Sequence, residues 1–368
     1  MNNNIRPIAI YLPQFHPIPE NDEWWGKGFT EWTNVTKAKP LFKGHYQPNL
    51  PGELGFYDLR VPEVREQQAA LAREYGIEGF MYWHYWFNGK RILECPFLEV
   101  LKTGKPDFPF CLGWANESWT GIWHGAPNRI LIEQTYPGIK DYENHFYNIL
   151  PAFKDHRYIK VDGKCLFLIY RPLQIPDAPS FINLWQKLAL ENRIGGIHFV
   201  GLSGSDIDRE KQIILDMGFD AIYPNPVTKT ANSIIHKSLI LRLRRKLCKY
   251  GIYMKHTSKG IFDYLEFTKA LVENYKPTDK VYPMLLPNWD NSPRSGKDSL
   301  ILKNSNPEAF RKHLKEVIEL VKDKPEEHRI IFIKSWNEWA EGNYLEPDNR
   351  FGRKYLEILK EEITNSAK

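Results

Sequence analysis

The chain of 368 residues contains only four cysteines, which lie far apart and form no CxxC pair. We therefore expect neither a disulfide framework nor a cysteine-based metal site. No apolar stretch approaches the roughly 18 residues that cross a membrane, and the amino terminus has no signal-peptide pattern. These absences predict a soluble cytoplasmic protein.

Charge of one sign is also scarce, because 50 basic and 45 acidic residues leave a formal net charge of +5. Nucleic-acid binding needs a dense basic surface, so we expect no nucleic-acid partner. Nucleotide-binding folds are disfavoured as well, since no GxGxxG follows a first strand and no GxxxxGK[ST] is present. Aromatic residues, in contrast, make up 14% of the chain. Sugar rings stack on aromatic faces, and we therefore expect a carbohydrate ligand, with core packing using part of the excess.

Eight short apolar runs, each bounded by turn residues, indicate buried parallel strands. The runs are Pro7–Pro17, Gly76–Gly89, Pro109–Trp119, Cys165–Pro172, Gly196–Gly204, Phe219–Pro226, Val281–Arg294 and Arg329–Trp339. Helical patterns lie between them, for example at Val61–Gly76, Ala178–Gly196 and Asn306–Lys324. This alternation predicts an α/β fold, a single (β/α)₈ TIM barrel over residues 1–368, with a doubly wound open sheet as the alternative.

Nearly every run ends in polar and aromatic residues. Catalytic residues of such barrels collect at the carboxyl ends of the strands, so the recurrence predicts a shared substrate-binding cleft. The candidate binding residues at strand ends are Tyr11, Gln14, His84, Tyr85, Trp114, Asn116, Glu117, Arg171, Tyr223, Asn288, Trp289, Asp290, Trp336 and Asn337.

A long aromatic loop at residues 22–49 follows the first run. Long loops in compact domains are usually functional or disordered, and the rings of Trp24, Trp25 and Trp32 argue against disorder. We expect this loop to form one wall of the cleft.

A basic insertion at about residues 229–262 separates the sixth and seventh runs. It contains Arg242, Arg244, Arg245, Lys246 and Lys249 with no acidic residue nearby. Two interpretations are considered at this stage: a solvated basic helix, which we favour, and a weak contact with an anionic membrane surface or an acidic glycan.

Two glutamates stand out directly after the last apolar run, in the segment SWNEWAEG. Glycoside cleavage needs two carboxyl groups at one bond, one of them protonated. If the segment begins a helical turn, Glu338 and Glu341 face the same way at roughly 5–6 Å between Cβ atoms. Burial and a like charge then separate the pKa values of the two groups, which predicts a catalytic pair.

A second arrangement pairs Glu117 with Glu338. Glu117 lies in a similar Asn-Glu step, WANESW, at the end of the third run. In a large clan of retaining barrel glycosidases an Asn-Glu acid/base works with a glutamate on another strand. Those enzymes use strands four and seven, whereas the runs here are the third and eighth, so we favour a hydroxyl-binding role for Glu117.

Four stretches together resemble the WbsX-like family, a branch related to glycoside hydrolase family 99, the endo-α-mannosidase and endo-α-mannanase group. They are IAIYLPQFHPIPENDEWWGKGFTEWTNV, GFMYWHYWFNG, FCLGWANESW and WNEWAEGNYLEPD, which span Ile8 to Asp348. The link to family 99 itself rests on the last motif and the barrel.

The resemblance implies a retaining mechanism. Glu338 would take the proton of the substrate 2-hydroxyl, which attacks the anomeric carbon to give a 1,2-anhydro sugar. Glu341 would protonate the leaving oxygen and then activate water, and Tyr223 would assist near Glu338. No metal or organic cofactor is implied. The substrate would be an oligosaccharide or polysaccharide of mannose or rhamnose type, such as a bacterial surface polysaccharide.

Two other functions are compatible with the resemblance. WbsX-like proteins are often named as glycosyltransferases of lipopolysaccharide or O-antigen biosynthesis. No Asp-x-Asp metal motif or nucleotide-sugar Gly loop lies in a Rossmann context, which disfavours transfer from a sugar nucleotide. A barrel that binds carbohydrate without catalysis is the third candidate, and the intact Glu-x-x-Glu pair argues against it. We therefore expect a glycoside hydrolase or transglycosidase.

Overall fold

Eight parallel strands form a barrel in the computed structural model, which describes residues 5–121, 126–204, 207–240, 242–243, 246, 260–275 and 278–366. Each strand overlaps one predicted run. In chain order the strands are Arg6–Tyr11, Gly79–Phe87, Phe110–Trp114, Lys164–Ile169, Ile197–Ser203, Ala221–Pro224, Met284–Leu285 and Ile330–Ile333.

Barrel closure follows from the pairing of these strands. Neighbours pair in the order six to one, then eight and seven. A parallel bridge between Ile222 and Val281 joins the sixth strand to the segment before the seventh. The predicted (β/α)₈ barrel is confirmed, and the open-sheet alternative is wrong.

Helices alternate with the strands and cover the outside of the barrel. Two of the helices begin at N-cap side chains. The side chain of Asp177 accepts a hydrogen bond from the backbone N–H of Ser180, and that of Asn306 accepts one from the N–H of Ala309. Among the helices described, none is long and apolar enough to cross a bilayer. The helices are Pro19–Trp25, Glu31–Lys37, Pro62–Glu74, Cys95–Thr103, Ile139–Phe153, Ala178–Glu191, Ile207–Asp216, Val227–Lys237, Tyr264–Glu273, Ser292–Ser295, Pro307–Glu319 and Lys354–Ser366.

Additional short strands lie at the ends of the barrel. Lys90–Ile92 pairs with the second barrel strand and Lys160–Val161 with the fourth. The separate two-stranded pairs are Trp119–Gly121 with Ala126–Ile132, Gly260–Asp263 with Leu300–Lys303, and Asn337–Glu338 with Asn343–Tyr344.

The two segments predicted to interrupt the alternation have different outcomes. Residues 22–49 are more regular than a loop, because they include the end of helix Pro19–Trp25 and the whole of helix Glu31–Lys37. The basic insertion begins with helix Val227–Lys237. Its Arg242 and Lys246 are exposed, whereas the predictions that concern Arg244, Arg245 and Lys249 fall outside the described residues.

Candidate active site

A cavity of about 520 Å³ opens at the carboxyl ends of the strands. Six aromatic side chains line it: Trp25, Trp83, Tyr85, Trp119, Tyr170 and Trp289. A larger groove, about 820 Å³, lies at the amino ends of the strands and has no aromatic side chain in its wall. Sugar recognition by aromatic faces therefore points to the cavity at the carboxyl ends, where barrel enzymes hold their active sites.

A short hairpin after the eighth strand presents the two glutamates to this cavity. The strand pair Asn337–Glu338 and Asn343–Tyr344 is joined through the 3₁₀ turn Trp339–Glu341. Ser335 holds the start of the hairpin, because its Oγ accepts the backbone N–H of Asn337 at 3.1 Å and of Glu338 at 2.9 Å. Glu338 and Glu341 consequently line the same cavity.

Gly342 ends the 3₁₀ turn in a position that suits only glycine. Its φ is +56°, and a Cβ there would lie 2.8 Å from the carbonyl oxygen of Asp290. The backbone N–H of Asp290 also donates to the carbonyl of Glu341 at 2.8 Å. The hairpin therefore packs directly on the loop that follows the seventh strand.

Asn337 joins the eighth strand to the first. Its Oδ1 accepts the backbone N–H of Leu12 at 2.8 Å, and its Nδ2 donates to the carbonyl of Leu12 at 3.0 Å. The side chain amide thus replaces a peptide group and continues the strand pairing beyond the end of the eighth strand. This asparagine positions the neighbouring Glu338 and does not line the cavity.

A third buried carboxyl group, Glu346, supports the hairpin. It accepts hydrogen bonds from Trp339 Nε1 at 2.6 Å, Gln68 Nε2 at 2.6 Å and the Tyr57 hydroxyl at 2.8 Å. Burial raises its pKa to about 7 against these hydrogen bonds. Its contacts fix Trp339, one of the two residues between Glu338 and Glu341 in the turn.

The carboxyl groups of Glu338 and Glu341 influence each other and have opposite pKa shifts. Burial raises the pKa of Glu338 to about 8 against the nearby Lys334 ammonium, and the adjacent Glu341 adds to the rise. Burial acts on Glu341 in the same direction, but Arg294 and Lys334 outweigh it and hold the pKa of Glu341 below its ordinary value. Near neutral pH, Glu338 therefore carries a proton and Glu341 is charged.

Arg294 connects Glu341 to the long aromatic loop. Its Nη1 lies 2.6 Å from Glu341 Oε1, and its Nη2 lies 2.7 Å from Oε1 of the fully buried Glu31. With Lys334 and Glu338, these residues place three carboxyl groups beside two cations. One shared proton makes this buried group neutral, which is the state that burial favours.

The structure brings some of the predicted binding residues to the cavity and leaves others away from it. Those that line it are Gln14, Trp25, Tyr85, Glu117 and Trp289. Those that do not are Tyr11, Trp24, Trp32, His84, Trp114, Asn116, Arg171, Tyr223, Asn288, Asp290, Trp336 and Asn337.

Strand alternation explains why His84 lies away from the cavity. Successive side chains of a strand point to opposite faces, and in the second strand Trp83 and Tyr85 face the cavity. His84 points the other way, where its Nε2 is 2.8 Å from Nε2 of the buried His145 on helix Ile139–Phe153. Burial lowers the pKa of His84 well below its ordinary value, so this ring is a neutral part of the packing.

Three other aromatic residues also lie outside the cavity wall and pack within the protein. Tyr11 donates its hydroxyl to Gln68 at 2.7 Å. Trp114 donates Nε1 to the carbonyl of Trp86 at 3.3 Å. The ring of Trp336 lies 5.2 Å from that of Phe80. We expect no direct contact between these residues and a ligand in the cavity.

The tryptophans of the long aromatic loop divide between the cavity and its support. Trp25 lines the cavity, and Trp24 packs edge-on against Trp119 with ring centroids 5.7 Å apart. Trp32 is buried beneath them, donates Nε1 to the carbonyl of Tyr57 at 2.8 Å and packs on Trp339. Trp25 and Trp119 thus form part of the cavity wall, whereas Trp32 fixes the loop to the hairpin that carries Glu338 and Glu341.

Several predicted polar residues orient loops. The amide of Asn116 bonds both the N–H and the carbonyl of Arg171. Asn288 Oδ1 accepts the N–H of Trp289 at 2.7 Å. Asp290 Oδ2 lies 2.7 Å from His45 Nε2.

Tyr223 is buried beside Phe332 and does not line the cavity. Its hydroxyl has no hydrogen-bond partner within the described part of the chain. Burial, Tyr275 and Glu338 raise the pKa of Tyr223 well above its ordinary value. The assisting role that the resemblance implies stays a prediction.

Glu117 lines the cavity and pairs with Arg171, whose Nη2 is 2.5 Å from Glu117 Oε1. The strand before Glu117 is the third and the one before Glu338 is the eighth. The strand positions of the rival Glu117–Glu338 pair therefore differ from those of the four-and-seven clan.

Ten residues of the wall are absent from the predicted set: Leu12, Trp83, Ala115, Ser118, Trp119, Thr120, Tyr170, Asn225, Arg294 and Lys334. All of them lie in or beside the predicted runs. Trp83 precedes two residues that were chosen, and Lys334 directly precedes the segment SWNEWAEG, four residues before Glu338. The signal for Trp83 and Lys334 was the two-residue period of a strand, whereas no local pattern marks Arg294.

A family model and curated proteins match this chain over most of its length. The family model described as glycosyltransferase WbsX matches residues 7–359. The uncharacterized protein WxcX of Xanthomonas campestris pv. campestris (strain B100) is 37% identical over 360 residues, which cover 98% of this chain and 50% of that protein. The same values hold for WxcX of strain ATCC 33913. The chain thus spans about half the length of these curated relatives.

Solved structures share the fold. A glycoside hydrolase-like protein has a TM-score of 0.60 and 14% identity, with 98% of this chain and 94% of that chain covered. The glycoside hydrolase family 99 endo-α-mannosidase from Bacteroides thetaiotaomicron has a TM-score of 0.56 and 15% identity, with 98% and 97% covered. At these identities the likeness concerns the barrel.

Proposed function

The chain belongs to the WbsX family, and on that premise we propose that it is a carbohydrate-active enzyme of glycoside hydrolase type, acting on a glycosidic bond in the aromatic cavity. One observation carries the proposal: Glu338 and Glu341 lie together in the wall of that cavity, with pKa shifts in opposite directions that leave one proton on the pair near neutral pH. Glycoside cleavage requires one protonated and one charged carboxyl group at a single bond.

The first half of the proposed reaction begins with a proton shift between the carboxyl groups of Glu338 and Glu341. Moving the proton from Glu338 to Glu341 makes Glu338 the base and Glu341 the acid. Glu338 then takes the proton of the sugar 2-hydroxyl, and O2 attacks C1. The bond from C1 to the leaving oxygen breaks, and Glu341 gives its proton to that oxygen. A 1,2-anhydro sugar results.

The second half reverses the roles. After the first half Glu338 is protonated and Glu341 is charged, which is the distribution that the pKa shifts favour in the free protein. Glu341 takes a proton from water, whose oxygen attacks C1. The C1–O2 bond opens and Glu338 returns its proton to O2, so the anomeric configuration is retained. A sugar hydroxyl in place of water gives transglycosylation.

The substrate class that we propose is a polysaccharide or oligosaccharide with an axial 2-hydroxyl, of mannose or rhamnose type. The cavity supports a sugar ligand through its aromatic wall and its buried polar groups. A related neighbour, named as an endo-α-mannosidase, supports the mannose option at the level of fold.

The deciding experiment incubates the protein with a panel of mannose- and rhamnose-containing oligosaccharides and follows the anomeric protons by NMR. We expect a retained product from the wild type and a loss of about 10²–10⁴-fold in kcat for Glu341→Gln and Glu338→Gln, since each removes a proton-transfer group. Glu66→Gln, at an exposed position, is the matched control. Wild-type turnover by Glu341→Gln would refute the assignment.

Glycosyl transfer is the second candidate, because the family model is described as a glycosyltransferase. Heat stabilisation by a nucleoside diphosphate with a divalent metal, together with product only from a sugar nucleotide, would favour it. Binding of the oligosaccharides without any product would favour a non-catalytic carbohydrate-binding barrel. Our proposal expects neither result.

A further inference from the structure

Positive charge is concentrated in the part of the sequence that runs from the sixth strand towards the seventh. Residues 221–262 contain nine Lys and Arg and no Asp or Glu. Without this stretch the formal charge would be −4, since 41 basic residues remain against 45 acidic ones. The molecule therefore combines a mildly acidic body with one strongly basic region.

Within that region the structure exposes large apolar side chains. Leu239 is 75% exposed, Ile240 68% and Leu243 58%. Arg242 and Lys246 are exposed beside them. We name these five residues the 239–246 patch.

Helical geometry places the two kinds of side chain in adjacent strips. The five residues of the 239–246 patch are helical. Leu239 and Leu243 are four positions apart, as are Arg242 and Lys246, and residues at that spacing share a helix face. An aliphatic strip therefore lies next to a cationic strip, and none of these residues lines the cavity.

The combination identifies one class of partner. Exposed aliphatic clusters mark interaction surfaces, and cations attract anionic groups. An acidic glycan would satisfy Arg242 and Lys246 but would leave the three aliphatic side chains in water. A second copy of the chain would bring two basic regions together. An anionic phospholipid surface offers both negative headgroups and an apolar layer just below them.

We propose that the 239–246 patch docks the protein on the surface of an anionic phospholipid bilayer. Binding is peripheral and requires both strips. It is independent of the chemistry in the cavity. Binding weakens as the salt concentration rises, because the cations act through the charge of the headgroups. High salt alone does not abolish binding, because the aliphatic side chains also enter the membrane interface.

The test is co-sedimentation of the full chain with vesicles. One set contains phosphatidylcholine alone, and the other contains phosphatidylcholine and phosphatidylglycerol in equal parts. We expect the wild type to sediment with the second set. Arg242→Gln with Lys246→Gln should weaken binding by roughly fivefold for each cation removed. Leu239→Ser with Leu243→Ser should weaken it at unchanged charge.

Matched controls come from helix Ala178–Glu191, where Leu190 is 66% exposed and Lys187 is exposed as well. Lys187→Gln with Leu190→Ser should leave vesicle binding unchanged. The thermal midpoint of every variant is measured, and the cationic and aliphatic pairs are also tested as single substitutions, so that a misfolded double variant cannot imitate the result.

Three results would overturn the proposal. The first is equal binding to both vesicle sets, and the second is wild-type binding by folded variants of the 239–246 patch. The third is binding to an acidic polysaccharide with no sedimentation on vesicles, which would assign the patch to a glycan. Loss of vesicle binding in both patch variants, with the control unchanged, supports it.

Discussion

Arg294 and Glu341 form an ion pair in the wall of the cavity, with 2.6 Å between Nη1 and Oε1. The second nitrogen of the same guanidinium binds Glu31, which lies in the long aromatic loop and is inaccessible to solvent. Arg294 thus stabilises the charged form of Glu341 and links this carboxyl group to the loop after the first strand. Under the proposed function it is a positioning residue for the proposed catalytic pair.

Removal of Arg294 should change both the rate and the pH dependence. Without the guanidinium the pKa of Glu341 rises, so in Arg294→Met the acid limb of the kcat/KM profile moves to higher pH. We expect kcat/KM at the optimum to fall about 10²–10³-fold, as for loss of a preorganised charge partner. A pH–rate profile on the oligosaccharide substrate measures both effects.

Two further variants separate charge from anchoring. Glu31→Gln keeps the charge of Arg294 and removes only its ion pair with Glu31. We therefore expect a smaller fall in rate than in Arg294→Met, and no upward shift of the acid limb. Arg353→Met removes an ion pair with Glu53 that is 39% exposed at both partners and should change neither quantity. An unmoved acid limb in Arg294→Met would contradict this role.

The wild-type enzyme should lose activity as pH rises through about 8. Glu338 then loses the single proton of the pair, and two carboxylates without an acid remain. On the acid side, protonation of Glu341 removes the base, so the profile is bell-shaped. NMR titration of the glutamate side chains, compared with the kcat profile, measures the alkaline limb. Activity that stays constant through pH 8 would contradict the shared-proton state.

Replacement of Gly342 should damage the site more than an equally strained glycine elsewhere. Gly342→Ala adds a methyl group within 3 Å of Asp290, at a φ of +56°. Gly352 has a φ of +57° with open space around its Cβ position, so Gly352→Ala reports the backbone strain alone. We expect Gly342→Ala to be less stable than Gly352→Ala by roughly 1–3 kcal/mol in urea unfolding, and to lose turnover. Equal values for the two variants would exclude the steric contact.

Glu346 should make stability depend on pH near neutrality. Its folded pKa of about 7 is above the ordinary carboxyl value, so its contribution is present at acid pH and is lost as pH rises through about 7. In Glu346→Gln this part of the pH dependence disappears. The amide also faces the donors Trp339 and Gln68, which costs about 1–3 kcal/mol at acid pH. Urea unfolding of both proteins below about pH 4.5 and above about pH 7 gives the comparison, because the contribution is lost between these values, and Glu66→Gln is the control.

The second strand of the barrel shows what a sequence pattern reveals and what it leaves open. The run GFMYWHYWFNG predicts the second strand, because a continuous apolar stretch between glycines is typical of a strand buried on both faces. In a strand buried on both faces, polar and apolar residues do not alternate, so the sequence does not show which side chains point into the barrel. His84 and Tyr85 were consequently chosen together, although only Tyr85 reaches the cavity, and Trp83 was missed.

The sequence by itself determined the barrel and the Glu338–Glu341 pair, because apolar runs, turn residues and a three-residue spacing are local patterns. Only the tertiary structure decided the charge state of that pair. Arg294 is 47 residues from Glu341 and 263 from Glu31, and no local pattern relates them. Their contact and the burial that shifts the pKa values exist only when the barrel brings the carboxyl ends of its strands together, since burial and Coulomb interaction depend on distance in space.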